Sequence, residues 1–159
     1  MSSVIGSEGL DVVLPDGVTA DDITVSTNAK GEASVAVETS ISGLEVTATE
    51  ESTDITGRKL TDSTVTAKGS KGTTSSIVVE NKEFKASTIE NNGKGSLSIS
   101  VEGTKFTKST IDAGEKKRAD TISFKDDAQI NKSVVKAGKG NDKITFGKEV
   151  EFQGKTTMT

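Results

Sequence analysis

A short pattern returns at nearly constant intervals through the middle of this chain. It stands at Ser63-Thr64-Val65, Ser87-Thr88-Ile89 and Ser109-Thr110-Ile111, and again as Ser133-Val134-Val135, at spacings of 24, 22 and 24 residues. Three residues before each serine lies a large apolar residue: Leu60, Phe84, Phe106 and Ile130. Glycines follow each copy, and then an alternating segment: SSIVV (75–79), SLSISV (96–101), DTISF (120–124) and DKITF (142–146). Further back, Ile41 and Val46 repeat the five-residue step of Leu60 and Val65, and Val46 to Val65 is 19 residues. A period of 19–24 residues built from short strands is the signature of a β-solenoid. One such unit cannot bury its own apolar face, whereas stacked copies bury a continuous column.

The expected fold is therefore all-β: a parallel β-helix or β-solenoid of about six coils over residues 23–159. Equivalent side chains should stack as inward ladders: Val65–Ile89–Ile111–Val135, Leu60–Phe84–Phe106–Ile130, Ile122–Ile144 and Phe124–Phe146. The serines and threonines fit outward positions, where they can form hydroxyl ladders. Segment 1–22, with its apolar DVVLP (11–15), does not follow the repeat and reads as an N-terminal cap or attachment arm. The C-terminal FQGKTTMT shows no cap, so that end is expected to be covered by a partner or by oligomerisation. The alternative is an antiparallel β-sandwich, whose strands also recur between turn signals. A sandwich has no need of the same residue type at the same phase in every period.

Composition agrees with narrow β layers. Apolar residues make up 31% of 159, aromatics 3%, and Ser plus Thr total 41. Such low hydrophobicity with 28% charged residues is compatible with disorder, but the strict alternation and the single proline oppose it. There is no cysteine, hence no disulfide and no thiolate metal site. The first residues lack a basic stretch followed by an apolar core, so no signal peptide is expected. No apolar run reaches spanning length, so no membrane partner is expected. Charge is uneven. Residues 1–57 hold one basic and eleven acidic residues (−10), and residues 58–159 hold nineteen basic and thirteen acidic (+6), which together give −4. Overall acidity, with no Tyr or Trp to stack on bases, speaks against nucleic acid.

One stretch carries possible chemistry. AGKGNDKITF (137–146) resembles the haemolysin-type calcium-binding repeat, G-G-x-G-x-D-x-U-x, over residues 137–145, with Ala137 in place of the first glycine. The resemblance implies calcium held between adjacent turns by hard oxygen ligands, with Gly138, Gly140 and Asp142 as the candidate metal-site residues. The following FGKEVEFQG does not continue the nonapeptide, and the preceding coil fills the same turn with Lys116, Lys117 and Arg118. Read from the residues themselves, Gly138 and Gly140 allow a tight turn and Asn141 and Asp142 bond its amides, with no cofactor needed. The run EKKR (115–118) reads as an exposed loop and a possible contact for an acidic partner.

No histidine or cysteine is present for catalysis. Parallel β-helix enzymes that cut polysaccharides use clustered carboxylates, for which Asp120, Asp126, Asp127 and Asp142 are the candidates. Turn-capping carboxylates are the simpler account, and all five phenylalanines have places in the core. The expectation is a non-enzymatic structural or interaction protein. Its partners would be other structural subunits, in a homo-oligomer or an appendage, and within that class a virion surface component: a capsid decoration or fibre protein. The alternatives are a calcium-stabilised secreted, extracellular haemolysin-type or adhesin module and, last, a carbohydrate-active β-helix.

Overall fold

The computed structural model describes residues 3–7, 9–19, 21–27, 32–49, 52–125 and 127–159, the first five by backbone alone. Residues 28–31, Glu50, Glu51 and the candidate Asp126 lie outside the described residues. Among those described, the chain is all-β and winds as a parallel solenoid. Three long sheets of eight, seven and six strands form its faces, here called A, B and C.

Each coil gives one strand to each face. In the third, Thr74–Asn81 lies in B, Glu83–Lys85 in C and Thr88–Asn91 in A. Face C is parallel throughout, from Ile41–Ser42 to Glu151–Gln153. Face A is parallel from Glu45–Ala48 to Thr157–Met158. Face B is parallel from Ala33–Val37 to Lys143–Phe146. This geometry excludes the antiparallel sandwich. Six coils separated by about 4.8 Å carry the stack roughly 24 Å from first to last.

Every ladder expected from the repeat is in register. Val65, Ile89, Ile111 and Val135 pair in sequence on face A. Leu60, Phe84, Phe106 and Ile130 do so on face C, and Ile122–Ile144 and Phe124–Phe146 on face B. The first two ladders are fully buried. The phenylalanines also touch around the winding: Phe84 and Phe106 stack with centroids 5.4 Å apart, Phe106 meets Phe124 edge-on at 6.2 Å, and Phe124 stacks on Phe146 at 5.5 Å. Each such pair adds about 0.5–1.5 kcal/mol beyond its buried area.

The repeating serine has a different place from the outward one expected. Ser63, Ser87, Ser109 and Ser133 are buried where face C turns into face A. Each Oγ accepts an amide N–H from the coil before it: from Leu44 at 3.1 Å, Ser63 at 3.0 Å, Ser87 at 3.2 Å and Ser109 at 3.2 Å. Each also donates to the carbonyl two residues earlier, that of Thr61, Lys85, Thr107 or Asn131. The residue before each serine is left-handed: Asp62, Ala86, Lys108 and Lys132 have φ of 48–50°. That conformation turns the chain sharply and leaves an amide with no strand partner, and the serine of the next coil supplies the acceptor. The residue that follows, Thr64, Thr88, Thr110 or Val134, lies on the outer, half-buried side.

The two ends differ. At the head, Leu10–Leu14 runs antiparallel to Glu45–Ala48 and to Ser3–Ser7, and Ile23–Thr27 runs antiparallel to Ala33–Val37. Leu10, Val12, Leu14 and Ile23 are buried and close the column. At the tail, among the described residues, no strand packs over the last coil. Phe146, Phe152 and Met158 are 40%, 48% and 38% exposed, so two of the five phenylalanines expected in the core lie on an open end.

Candidate functional site

Glycine-rich turns stand where face A gives way to face B, at 68–73, 92–95, 113–120 and 137–142, and the longest loops are among them. Short side chains let successive loops lie directly on one another. Gly138 has φ 92° and Gly140 φ 154°. A Cβ at Gly138 would overlap the Gly114 carbonyl oxygen, and one at Gly140 the Arg118 carbonyl oxygen. Both glycines of the candidate calcium motif are therefore required by backbone approach and by φ.

Close stacking of glycine loops leaves carbonyls without strand partners, and one side chain collects them. Arg118 donates from Nη1 to Gly93 O at 3.0 Å and Gly95 O at 2.7 Å, and from Nη2 to Ala113 O at 2.7 Å. Lys116 Nζ reaches Gly93 O at 2.9 Å. The Arg118 side chain is only 7% exposed. Of the run read as an exposed loop, Glu115, Lys116 and Lys117 are exposed and Arg118 is the staple of the corner. The signal was available in the previous coil: two glycines in a four-residue turn (92–95) demand a donor from a neighbouring turn.

The aspartates at this corner repeat the serine device. Asp120 Oδ1 accepts the Leu97 amide at 2.7 Å, and Asp142 Oδ1 accepts the Asp120 amide at 3.0 Å. Asp120 is 1% exposed, and its Oδ2 stands 3.9 Å from Arg118 Nε with no hydrogen-bond partner on either atom. Burial pushes the Asp120 carboxyl above its ordinary value; the Leu97 amide and Arg118 oppose that, and Asp142 adds to it. Asp127, with φ 66°, is an exposed turn residue beyond the strand Thr121–Phe124, at the corner between faces B and C. The described candidate carboxylates are thus divided between two corners, and the two that stack each hold a backbone amide.

Calcium takes about six to eight oxygen ligands. Around Asp142, Lys117 and Arg118 stack in register on Lys139 and Gly140. Among the described residues no group of three or more His, Cys, Asp or Glu side chains converges. This donor set does not fit the ion that the motif resemblance implied. A recess of about 590 Å³ opens beside it, lined by Lys117, Arg118, Ala119, Lys139, Gly140 and Asn141. Its lining carries cations and backbone and no carboxylate.

No family model, no curated protein and no solved structure matches the chain.

Proposed function

We propose that this chain is a non-enzymatic structural module: a rigid, sealed-headed rod that presents other subunits with a fixed geometry. The observation that supports it most is the use made of the buried polar side chains at the corners. Ser63, Ser87, Ser109, Ser133, Asp120 and Arg118 bond the backbone of neighbouring coils. Groups so engaged hold the winding.

Within this class we favour a component of a virion surface, a capsid decoration or fibre protein. Support for that finer reading is fold-level analogy together with the uneven charge: an acidic head of −10 over residues 1–57 suits docking on a basic structural partner. The test is labelling of purified native particles with an antibody to this chain, imaged by electron microscopy. Label at regular surface sites supports the proposal. Recovery of the chain solely from particle-free medium overturns it in favour of a secreted module.

A further inference from the structure

The tail of the rod is a core cut open. Phe146 stacks on the buried Phe124 at 5.5 Å and meets Phe152 edge-on at 5.2 Å. With Met158, these side chains occupy the ladder positions that every earlier coil buries beneath the next. Three strands end their sheets together here: Lys143–Phe146, Glu151–Gln153 and Thr157–Met158. Each leaves one row of amides and carbonyls unpaired, the arrangement that recruits another chain.

Two features of the molecule select the occupant. Among the described residues the head offers no matching apolar surface: Leu10, Val12, Leu14 and Ile23, on its antiparallel strands, are buried. Head-to-tail growth would place an apolar tail on a sealed acidic cap. The tail, in contrast, suits itself. Residues 137–159 carry Lys139, Lys143, Lys148 and Lys155 against Asp142, Glu149 and Glu151, a balance of +1. Two tails together therefore meet no strong like-charge repulsion, while the acidic heads point away.

We infer that this end docks on the same end of a second copy, forming a two-fold, tail-to-tail dimer centred on Phe152. A two-fold perpendicular to the stacking axis reverses strand direction, so the open edges pair antiparallel. With the axis through Glu151–Gln153, Phe152 lies beside its own counterpart and Glu151 opposite the neutral Gln153. The outer faces then exchange, so that Phe146 covers Met158 of the second copy. The flanking corners exchange as well, and Glu149 faces Lys155 twice, once on each side. This deepens the structural-module reading, since it makes the unit a double-length rod with two acidic heads.

The experiment is sedimentation equilibrium of the purified chain up to about 1 mM, a range that detects weak association. The expected result is a reversible equilibrium between 16.5 kDa and twice that mass. Phe152→Lys should weaken it by about tenfold or more, as loss of a central aromatic contact does. Glu149→Lys and Lys155→Glu should each weaken it, and the double exchange should restore it. Val13→Lys at the head should leave it unchanged. A single 16.5 kDa species throughout, association that survives Phe152→Lys, or open-ended growth would each overturn the inference. A monomer would remove this contact and leave the structural-module reading to the particle-labelling experiment.

Discussion

Ser109 Oγ accepts the Ser87 amide at 3.2 Å and donates to the Thr107 carbonyl at 2.9 Å. It also lies 3.0 Å from the Phe84 carbonyl in the coil below. One hydroxyl thus joins two windings at a corner where the left-handed Lys108 has broken the strand ladder. Ser109→Ala removes the acceptor and strands the buried amide, which should cost about 1–3 kcal/mol. Thr110→Ala, one residue on and facing outward, should cost less than about 0.5 kcal/mol. Urea titration of both variants, compared through their midpoints, checks the difference. Equal losses would mean that the serine ladder contributes nothing particular.

The phenylalanines offer a graded series. Phe106 is fully buried between Phe84 and Phe124, so Phe106→Ala should cost about 3–5 kcal/mol. Phe152 holds an equivalent ladder place but has no coil above it, so Phe152→Ala should cost less than about 1.5 kcal/mol in the monomer. Thermal melts at low protein concentration separate the two. A Phe152 loss as large as that of Phe106 would show the tail to be covered within the chain.

Asp120 gives a pH test whose sign is set by burial. Its carboxyl is held above the ordinary 3.8, so the folded state keeps the proton where the unfolded chain has lost it. Its contribution to stability is greatest below the unfolded value and declines as pH rises through the raised one. Measured against Asp120→Asn, whose amide oxygen can still accept from Leu97, the wild type should compare best at about pH 3 and lose ground towards about pH 7. Denaturant titrations of both proteins at the two pH values read the gap. A gap that moves the other way would place Asp120 in a stabilising ion pair with Arg118.

The corner at Gly138, Gly140 and Asp142 should be indifferent to calcium. Melting with excess EGTA and with millimolar calcium should give the same midpoint, because Asp142 is engaged with the Asp120 amide and the neighbouring turn is cationic. A rise with calcium would establish the ion site that the motif suggests. Gly138→Ala should destabilise in either condition, since its Cβ has no room above Gly114.

The winding was legible in the sequence because solenoid stacking demands the same side chain at the same phase in each coil. Leu60, Phe84, Phe106 and Ile130 announced one ladder, and Val65, Ile89, Ile111 and Val135 another. Alternation alone puts each serine on the inward side, two residues before a buried Val or Ile; what was hidden is that its hydroxyl bonds the coil before it. That bond follows from the left-handed residue before the serine, and Asp62, Ala86, Lys108 and Lys132 share no chemistry that marks that conformation. Arg118 was hidden for a related reason: in sequence it belongs to a charged run, and two of the three carbonyls it serves lie 23 and 25 residues away. The open tail is a property of the last coil's neighbours, which periodicity within the chain does not describe.

The account depends on coils lying directly over one another. Glu45, Thr64, Thr88, Thr110 and Val134 follow in register along face A, so Glu45 and Val134 lie four strand spacings apart. Spin labels at these two positions, read by pulsed electron paramagnetic resonance, should give a narrow distribution about 19 Å between backbones, widened by the label arms. A broad distribution, or a backbone separation beyond about 30 Å, would contradict four stacked strands at that spacing.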